Sequence, residues 1–344
     1  MAVTQIADLA VPEIFVPYTQ QAMVDNLDLL RSGALVRDQE IGRRYTEGGL
    51  TFNMPSFQDL ADSDADINND TSSLATPQKV ESSLEIGVWM RRSKSFSSMD
   101  LAGELAGADP MTAVTSRFGN WASREFLKTV ISILVGVFSQ NVANDGSDMV
   151  HSVIGGAFAD GVTNFTMANL TDLETGFGEY DPSRATLVVH PNVFGGIRKK
   201  NLIDFIPDTT NPAANSFIRT VGEHQIIRTR QVPNPAHPVH TTAAGIYHSY
   251  LLAPGSLRFD EGTRPIPVEP EREARAGNGG GQSTLTYRWA RAIHPTGHSY
   301  VGTTSQGGPS NLTSANNLGD DASWDRVFTQ REQVPMGLLI TREA

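Results

Sequence analysis

The chain contains no cysteine among its 344 residues. That excludes disulfide staples, thiolate nucleophiles and cysteine-ligated zinc, and it is compatible with a reducing compartment. Positive charge is also short: 27 Lys and Arg stand against 38 Asp and Glu, a net charge of −11. Coating nucleic acid by neutralising phosphates needs clustered Lys and Arg, so the chain as a whole is not built for that, although contact through one face stays open. Long apolar runs are scarce. The longest nearly uncharged one, TVISILVGVF at residues 129–138, offers half of the roughly 20 residues a membrane span needs. The first thirty residues lack a basic stretch followed by an apolar one, so no secretion signal is expected.

Signatures of chemistry are missing as well. Neither GxSxG nor HExxH occurs. The glycine-rich GNGGGQ has no phosphate-loop spacing and no following helix, so it reads as a hairpin tip. In DSDADIN, Asp62, Asp64 and Asp66 match the first positions of a calcium loop, but Ile67 and Ser73 stand where Gly and Glu are required. A solvated loop is the expectation. His237 with His240, and His294 with His298, have spacings that suit a metal. Both pairs sit beside prolines with no sequence-adjacent third ligand, so turn or packing roles are expected. No catalytic residue, cofactor or metal is assigned.

What is present describes an ordered chain, with 39% hydrophobic and 19% charged residues. Its length allows two domains or one elaborated domain with a sizeable core. YTQQAMVDNLDLLRSG places Met23, Leu27 and Leu30 at helical spacing, with Gly33 as a stop. GGLTFNMPSF alternates Leu50, Phe52 and Met54 against Thr51 and Asn53. SLEIGVWMRR alternates Leu84, Ile86, Val88 and Met90 against Glu85 and Trp89, so both predict two-faced strands. The polar connection between them, about 20 residues, is too long for an ordinary loop of a compact domain, so a two-armed β excursion is expected.

Asp109-Pro110 then predicts an N-cap and first helical residue, and no proline follows until beyond Asn144. Val114, Phe118 and Trp121 begin an apolar stripe that Leu127, Val130, Ile131, Leu134, Val137 and Phe138 continue. The helix would be roughly 50 Å long, with its second half buried on several sides. Further on, ATLVVHPNVFGGIRKKNLIDF predicts a strand, a turn at His190-Pro191 and a short helix. EHQIIRTRQVP and IYHSYLLAPGSLRF predict strands, and PIPVEPEREA with STLTYRWARAIH predict a hairpin across AGNGGGQ. Residues 303–323 read as loop. Arg91, Arg92, Arg117, Arg124, Arg288 and Arg291 are candidates for ion pairs across subunit contacts or, equally, for solvated faces. Trp89 and Trp289 are candidates for interface anchors or for core.

In this order the elements resemble the major capsid protein of tailed double-stranded-DNA bacteriophages, with the Hong Kong 97-like fold. The likeness runs over almost the whole chain. VPEIFVPYTQQ and SGALVRD are similar to the arm before the extended loop, and GGLTFNMPSFQDL to that loop's outgoing strand. LEIGVWMRRSKSFSSMDLAGELAGADPM is similar to the return into the spine helix. LVVHPNVFGGIRKKNLID resembles an axial-domain strand and helix, and PVEPEREARAGNGGGQSTLTYRWARAIHP the peripheral hairpin. The fold class implied is α+β. It comprises an N-terminal arm at 1–45, an extended β-hairpin loop at 46–96 and a peripheral domain with the spine helix at 97–145. A mixed α/β axial domain at 146–259, the peripheral β-hairpin at 260–302 and a C-terminal segment at 303–344 complete it. The resemblance implies a self-assembling, non-enzymatic shell subunit. Its partners would be other copies in hexamers and pentamers, with portal and scaffolding proteins, around double-stranded DNA bound without sequence preference and with no membrane. An encapsulin-type nanocompartment shell is the alternative. Inter-subunit contact is assigned to Trp89, Arg91, Arg92 and Trp289. Lys79 and Lys94 lie in or near the loop, and no cross-linking role is assigned to either.

Overall fold

In the computed structural model, the described residues are 28–57, 64–68, 82–106, 110–178, 184–207, 217–303 and 306–344, with the single positions 70, 74, 77, 180 and 182. Met23, Leu27, Asp62, Lys79 and Asp109 lie outside them. A short helical turn, α1 (Asp28–Arg31), precedes Gly33, whose φ of 79° is the left-handed conformation that ends a helix cheaply only at glycine. The strand β1 (Leu35–Arg37) and the helix α2 (Gln39–Thr46) follow, with Asp38 capping α2 by accepting from the Glu40 amide at 3.0 Å.

One sheet is organised on a single long strand. β13 (Gln282–Pro295) pairs antiparallel with β4 (Met90–Met99) on one side. On its other side it pairs with β12 (Val268–Glu273) and then β11 (Leu257–Gly262), and β1 adds parallel to β11. The β12–β13 pair is the hairpin expected across AGNGGGQ. Gly277, Asn278, Gly279 and Gly281 all take positive φ at its tip. After β4 come a short helix, α3 (Asp100–Ala106), and the long helix α4 (Pro110–Asn144) of 35 residues.

Within α4 the stretch Arg117–Asn144 is long and apolar enough to cross a membrane by length and composition, more than the ten-residue run alone suggests. The most apolar 18-residue window within it is 67% buried inside the fold, as in the core helix of a folded domain. The aromatic end of that stretch meets the long strand: Phe118 and Trp121 pack edge-on against Tyr287 and Trp289 at 4.8 and 5.8 Å.

A seven-stranded sheet forms the rest, in the order β5 (Val150–Ser152), β16 (Met336–Arg342), β10 (Ile246–Leu252), β6 (Thr186–Val189), β9 (His224–Arg228), β8 (Phe217–Val221) and β7 (Asp204–Pro207). Its central strands are apolar on both faces, because both are covered. Val188, Ile227, Tyr250, Leu252 and Leu338 face the core that holds α4. Leu187, Val189, Ile226, Leu251 and Leu339 face a second core with α5 (Met167–Thr175) and α6 (Pro191–Lys199). The sheet therefore lies between one long helix and two short ones. α6 begins as its sequence predicts, with Pro191 at the first turn and the His190 ring accepting from the Asn192 amide at 3.2 Å.

Candidate functional site: the root of the β excursion

The strands β2 (Thr51–Phe57) and β3 (Ser82–Val88) form a two-stranded antiparallel ribbon, in register from Thr51 opposite Val88 to Phe57 opposite Ser82. A lone hairpin is marginal in water, so what holds this one matters. Its root is well packed. Phe52 and Met54 are buried with Trp89, Ile41 and Ala292, and Tyr45 closes the cluster 4.8 Å from Trp89. Its outer half is bare: Phe57 is 75% exposed and Leu84 48%. Ile67 and Leu74, in the connection beyond, are more than nine-tenths exposed.

The alternation in β3 gives two faces, and along the ribbon the structure turns Glu85 rather than Leu84 to the packed one. In the hairpin register Glu85 and Gly87 lie opposite Met54 and Phe52, on the packed face, and Glu85 is 1% exposed. The physical reason is a partner distant in sequence. His294, near the end of β13, donates from Nε2 to the Glu85 carboxylate at 2.6 Å, and the Gly297 amide donates to the same oxygen at 3.3 Å. Burial works to raise the Glu85 carboxyl. The hydrogen bond and charge of His294, the charge of Arg258 and the Gly297 amide outweigh that and hold it below the usual carboxylate range. A strand β14 (His298–Tyr300) completes the clamp, with Ser299 Oγ accepting from the Ile86 amide at 3.0 Å and donating to the Leu84 carbonyl at 3.2 Å.

Of the four residues assigned to subunit contact, Trp89 and Arg91 stand at this root, while Arg92 and Trp289 lie on the face of the long-strand sheet that packs against α4. Trp89 is fully buried between the ribbon and the long-strand sheet. Trp289 is 8% exposed and stacks on Tyr287 at 5.4 Å. The Arg91 guanidinium lies 5.4 Å over the Tyr45 ring and donates to the Gly49 carbonyl at 2.7 Å. Arg92 reaches Glu125 on α4 at 3.3 Å, the Pro309 carbonyl at 3.2 Å and Asn311 Oδ1 at 2.8 Å. Of the other arginines, Arg288 pairs with Glu269 at 2.7 Å, and Arg291 holds Glu261 through both Nε and Nη2. Arg117 and Arg124 are exposed on α4.

The segment expected only as loop turns out to be a strap. The Gly307 carbonyl accepts from the Arg91 amide at 2.8 Å, and Gly308 sits so close to Trp89 that an added Cβ would stand 2.1 Å from its carbonyl oxygen. Farther on, the chain crosses the middle of α4 before pairing β15 (Trp324–Arg326) with β14. The histidines have the packing roles expected. His237 Nδ1 accepts from the Val239 and His240 amides at 3.2 and 2.8 Å, while His240 Nε2 meets Ser132 Oγ on α4 at 2.9 Å. His298 Nδ1 donates to the Thr296 carbonyl at 3.2 Å. Asp64 and Asp66 are exposed, and among the described residues no three His, Asp or Glu side chains come together as a metal site.

No family model matches the chain. The major capsid protein of Bacillus phage SPP1 is 30% identical to it over 336 residues, which cover 96% of each chain. Among solved structures, the capsid of Ralstonia phage GP4 superposes with a TM-score of 0.54 at 9% identity, covering 86% of this chain and 84% of that one. The cyanophage Pam1 capsid gives 0.50 at 12% identity, covering 86% of each. A structure from Mycobacterium phage Adephagia gives 0.50 at 10%, covering 91% and 89%. Those identities carry the fold alone, and the SPP1 relative carries the family. With that relative matched from end to end, the chain belongs to the major capsid proteins of tailed bacteriophages and has the Hong Kong 97-like capsid fold.

Proposed function

We propose that the chain is a structural shell subunit that self-assembles, as hexamers and pentamers, into an icosahedral capsid enclosing a double-stranded DNA genome. The observation that carries this reading is the end-to-end likeness to a phage major capsid protein, 96% of each chain. The exposed Phe57, Leu84, Ile67 and Leu74 supply the physical motive. An apolar-tipped ribbon that the described residues of its own chain leave uncovered gains most by lying on a neighbour. Repeated heterologous contacts of that kind close into rings and shells. Trp89 and Arg91 enter at the ribbon's root, and Arg92 and Trp289 join the strands behind it to α4, so all four act on the neighbour contact by setting the ribbon's direction. Portal and scaffolding proteins are the further partners, the host cytoplasm is the place of assembly and the virion the destination. The subunit has no catalytic task in this reading.

Sedimentation and electron microscopy of the purified chain test it. Rings or closed particles of hundreds of kilodaltons or more are expected. Monomers alone under every assembly condition would overturn the reading. Shells loaded with a cellular enzyme, without DNA or portal, would favour the nanocompartment instead.

A further inference from the structure

The chain is acidic, with a net charge of −11, yet one face of the seven-stranded sheet is basic. Phe194 on α6 is 8% exposed, and two guanidiniums lie over its ring, Arg219 from β8 at 5.8 Å and Arg228 from β9 at 5.4 Å. Arg198 stands one helical turn beyond Phe194, on the same side of α6, with Lys199 beside it. Arg230 lies at the other end, close enough to His190 for its charge to add to burial in lowering that imidazole. All five cations are exposed, and among the described residues none has a carboxylate within ion-pair distance.

Nearby anions are committed elsewhere or stand at the edge. Asp160 faces Lys200 at 3.6 Å, and Glu174 takes His224 at 2.8 Å. Glu223 is exposed in the β8–β9 turn, and Asp204 is exposed on β7. Five like charges without counter-charges repel one another, a standing cost that a polyanion removes. The rings and strands under them also hold the guanidiniums spread, so little side-chain entropy is lost on contact. The patch runs the length of α6, about 13 Å at 1.5 Å per residue. Duplex DNA carries one charge per about 1.7 Å of axis, so such a patch spans several phosphates.

We propose that this face, Arg198, Lys199, Arg219, Arg228 and Arg230 around Phe194, binds the phosphate backbone of double-stranded DNA without reading its sequence. It is then the inward face of the shell. The choice of DNA as the polyanion rests on the capsid reading above.

The test is binding of a fluorescein-labelled 20-base-pair duplex to the full chain, followed by anisotropy between 50 and 200 mM salt. Wild type should bind weakly and lose affinity with salt. Arg219→Gln/Arg228→Gln/Arg230→Gln should bind at least tenfold more weakly, with a log–log salt slope shallower by about 2 to 3, since each phosphate contact contributes about 0.9. Lys199→Gln and Arg230→Gln, singly, leave the Phe194 ring covered and should each flatten the slope by about 1. They keep the test valid if the triple variant misfolds. Wild-type affinity and slope in folded variants that still form shells would overturn this proposal and leave the capsid reading standing. Unchanged duplex binding with assembly lost would overturn it too, assigning the patch to an acidic surface of a second copy. Failure of wild type to form particles would strike the capsid reading alone, because the duplex measurement needs only the folded chain.

Discussion

Phe52 lies opposite Gly87 in the ribbon register, and its ring fills the space a side chain at Gly87 would need: an added Cβ would stand 2.2 Å from Cζ. The ring cannot swing away, because Trp89 is 5.5 Å behind it and His294 6.4 Å to the side. Gly87→Ala should therefore cost about 1–3 kcal/mol by overpacking. The loss should appear as a lower thermal midpoint and as faster proteolysis within 46–96. Unchanged proteolysis would mean that the root does not govern the ribbon. Glu85 acts at the same place by charge. Glu85→Ala strands the Nε2–H of His294 in a site where that side chain is 1% exposed, at a cost of about 1–3 kcal/mol. His294→Ala, which uncovers the carboxylate instead, should cost at least as much, because a buried charge without its donor is the worse remainder. Denaturant midpoints of the two variants rank these costs, and a milder effect from His294→Ala would show that water replaces the imidazole.

Among elements, α4 shows how packing overrides propensity. At Gly136 an alanine would favour the helix by up to about 1 kcal/mol. Yet the Cβ would meet the Leu318 carbonyl at 2.2 Å and Trp324 Nε1 at 2.6 Å, and that indole already donates to the same carbonyl at 2.9 Å. Neither partner is a flexible chain end, so Gly136→Ala should be destabilising by about 1–3 kcal/mol net, detaching the strap before the helix. A raised thermal midpoint would show that the strap yields. This contact also marks what the sequence could reveal. Pro110, the unbroken apolar spacing and Asn144 made α4 legible, because a helix is written in residues three and four apart. The alternation of Phe52 and Met54 made β2 legible for the same local reason. The inward turn of Glu85 was hidden, since its cause, His294, stands 209 residues away. The strap was hidden too: Gly308 and Leu318 look like loop residues until Trp89 and α4 are brought against them. β16 is not legible either, because a short apolar run does not announce that it will lie between β5 and β10.

For the whole molecule the shared feature is buried, neutral histidine. Burial pushes His240, His248 and His298 down to about 4, with the positive charge of His237 adding at His240 and that of His240 adding at His248. In the unfolded chain each titrates near 6.5. Above that pH both states are neutral at these sites and stability is level. Between 6.5 and 4 the unfolded chain takes up protons that the folded chain refuses, so stability falls as pH falls. His298 and His240 are buried and carry most of the effect, while half-buried His248 carries least. Glu85 and Asp148 add a second, lower step. At Asp148 burial alone would raise the carboxyl, and hydrogen bonds from Arg326 and Asn141 reverse that. With both carboxyls held below their ordinary values, their contributions persist down to the unfolded carboxylate range and vanish only as pH drops through the folded values. Denaturation of the dispersed subunit should then show a flat midpoint above pH 7. A loss on the order of several kcal/mol should follow by pH 5, since each such histidine contributes about 1.4 kcal/mol for every step of one in pH. His298→Gln should lower stability at pH 7.5 but flatten the decline between 6.5 and 4. A midpoint that rises on acidification, or a His298→Gln profile as steep as wild type, would mean that these imidazoles are hydrated in the folded subunit and do not couple its stability to pH.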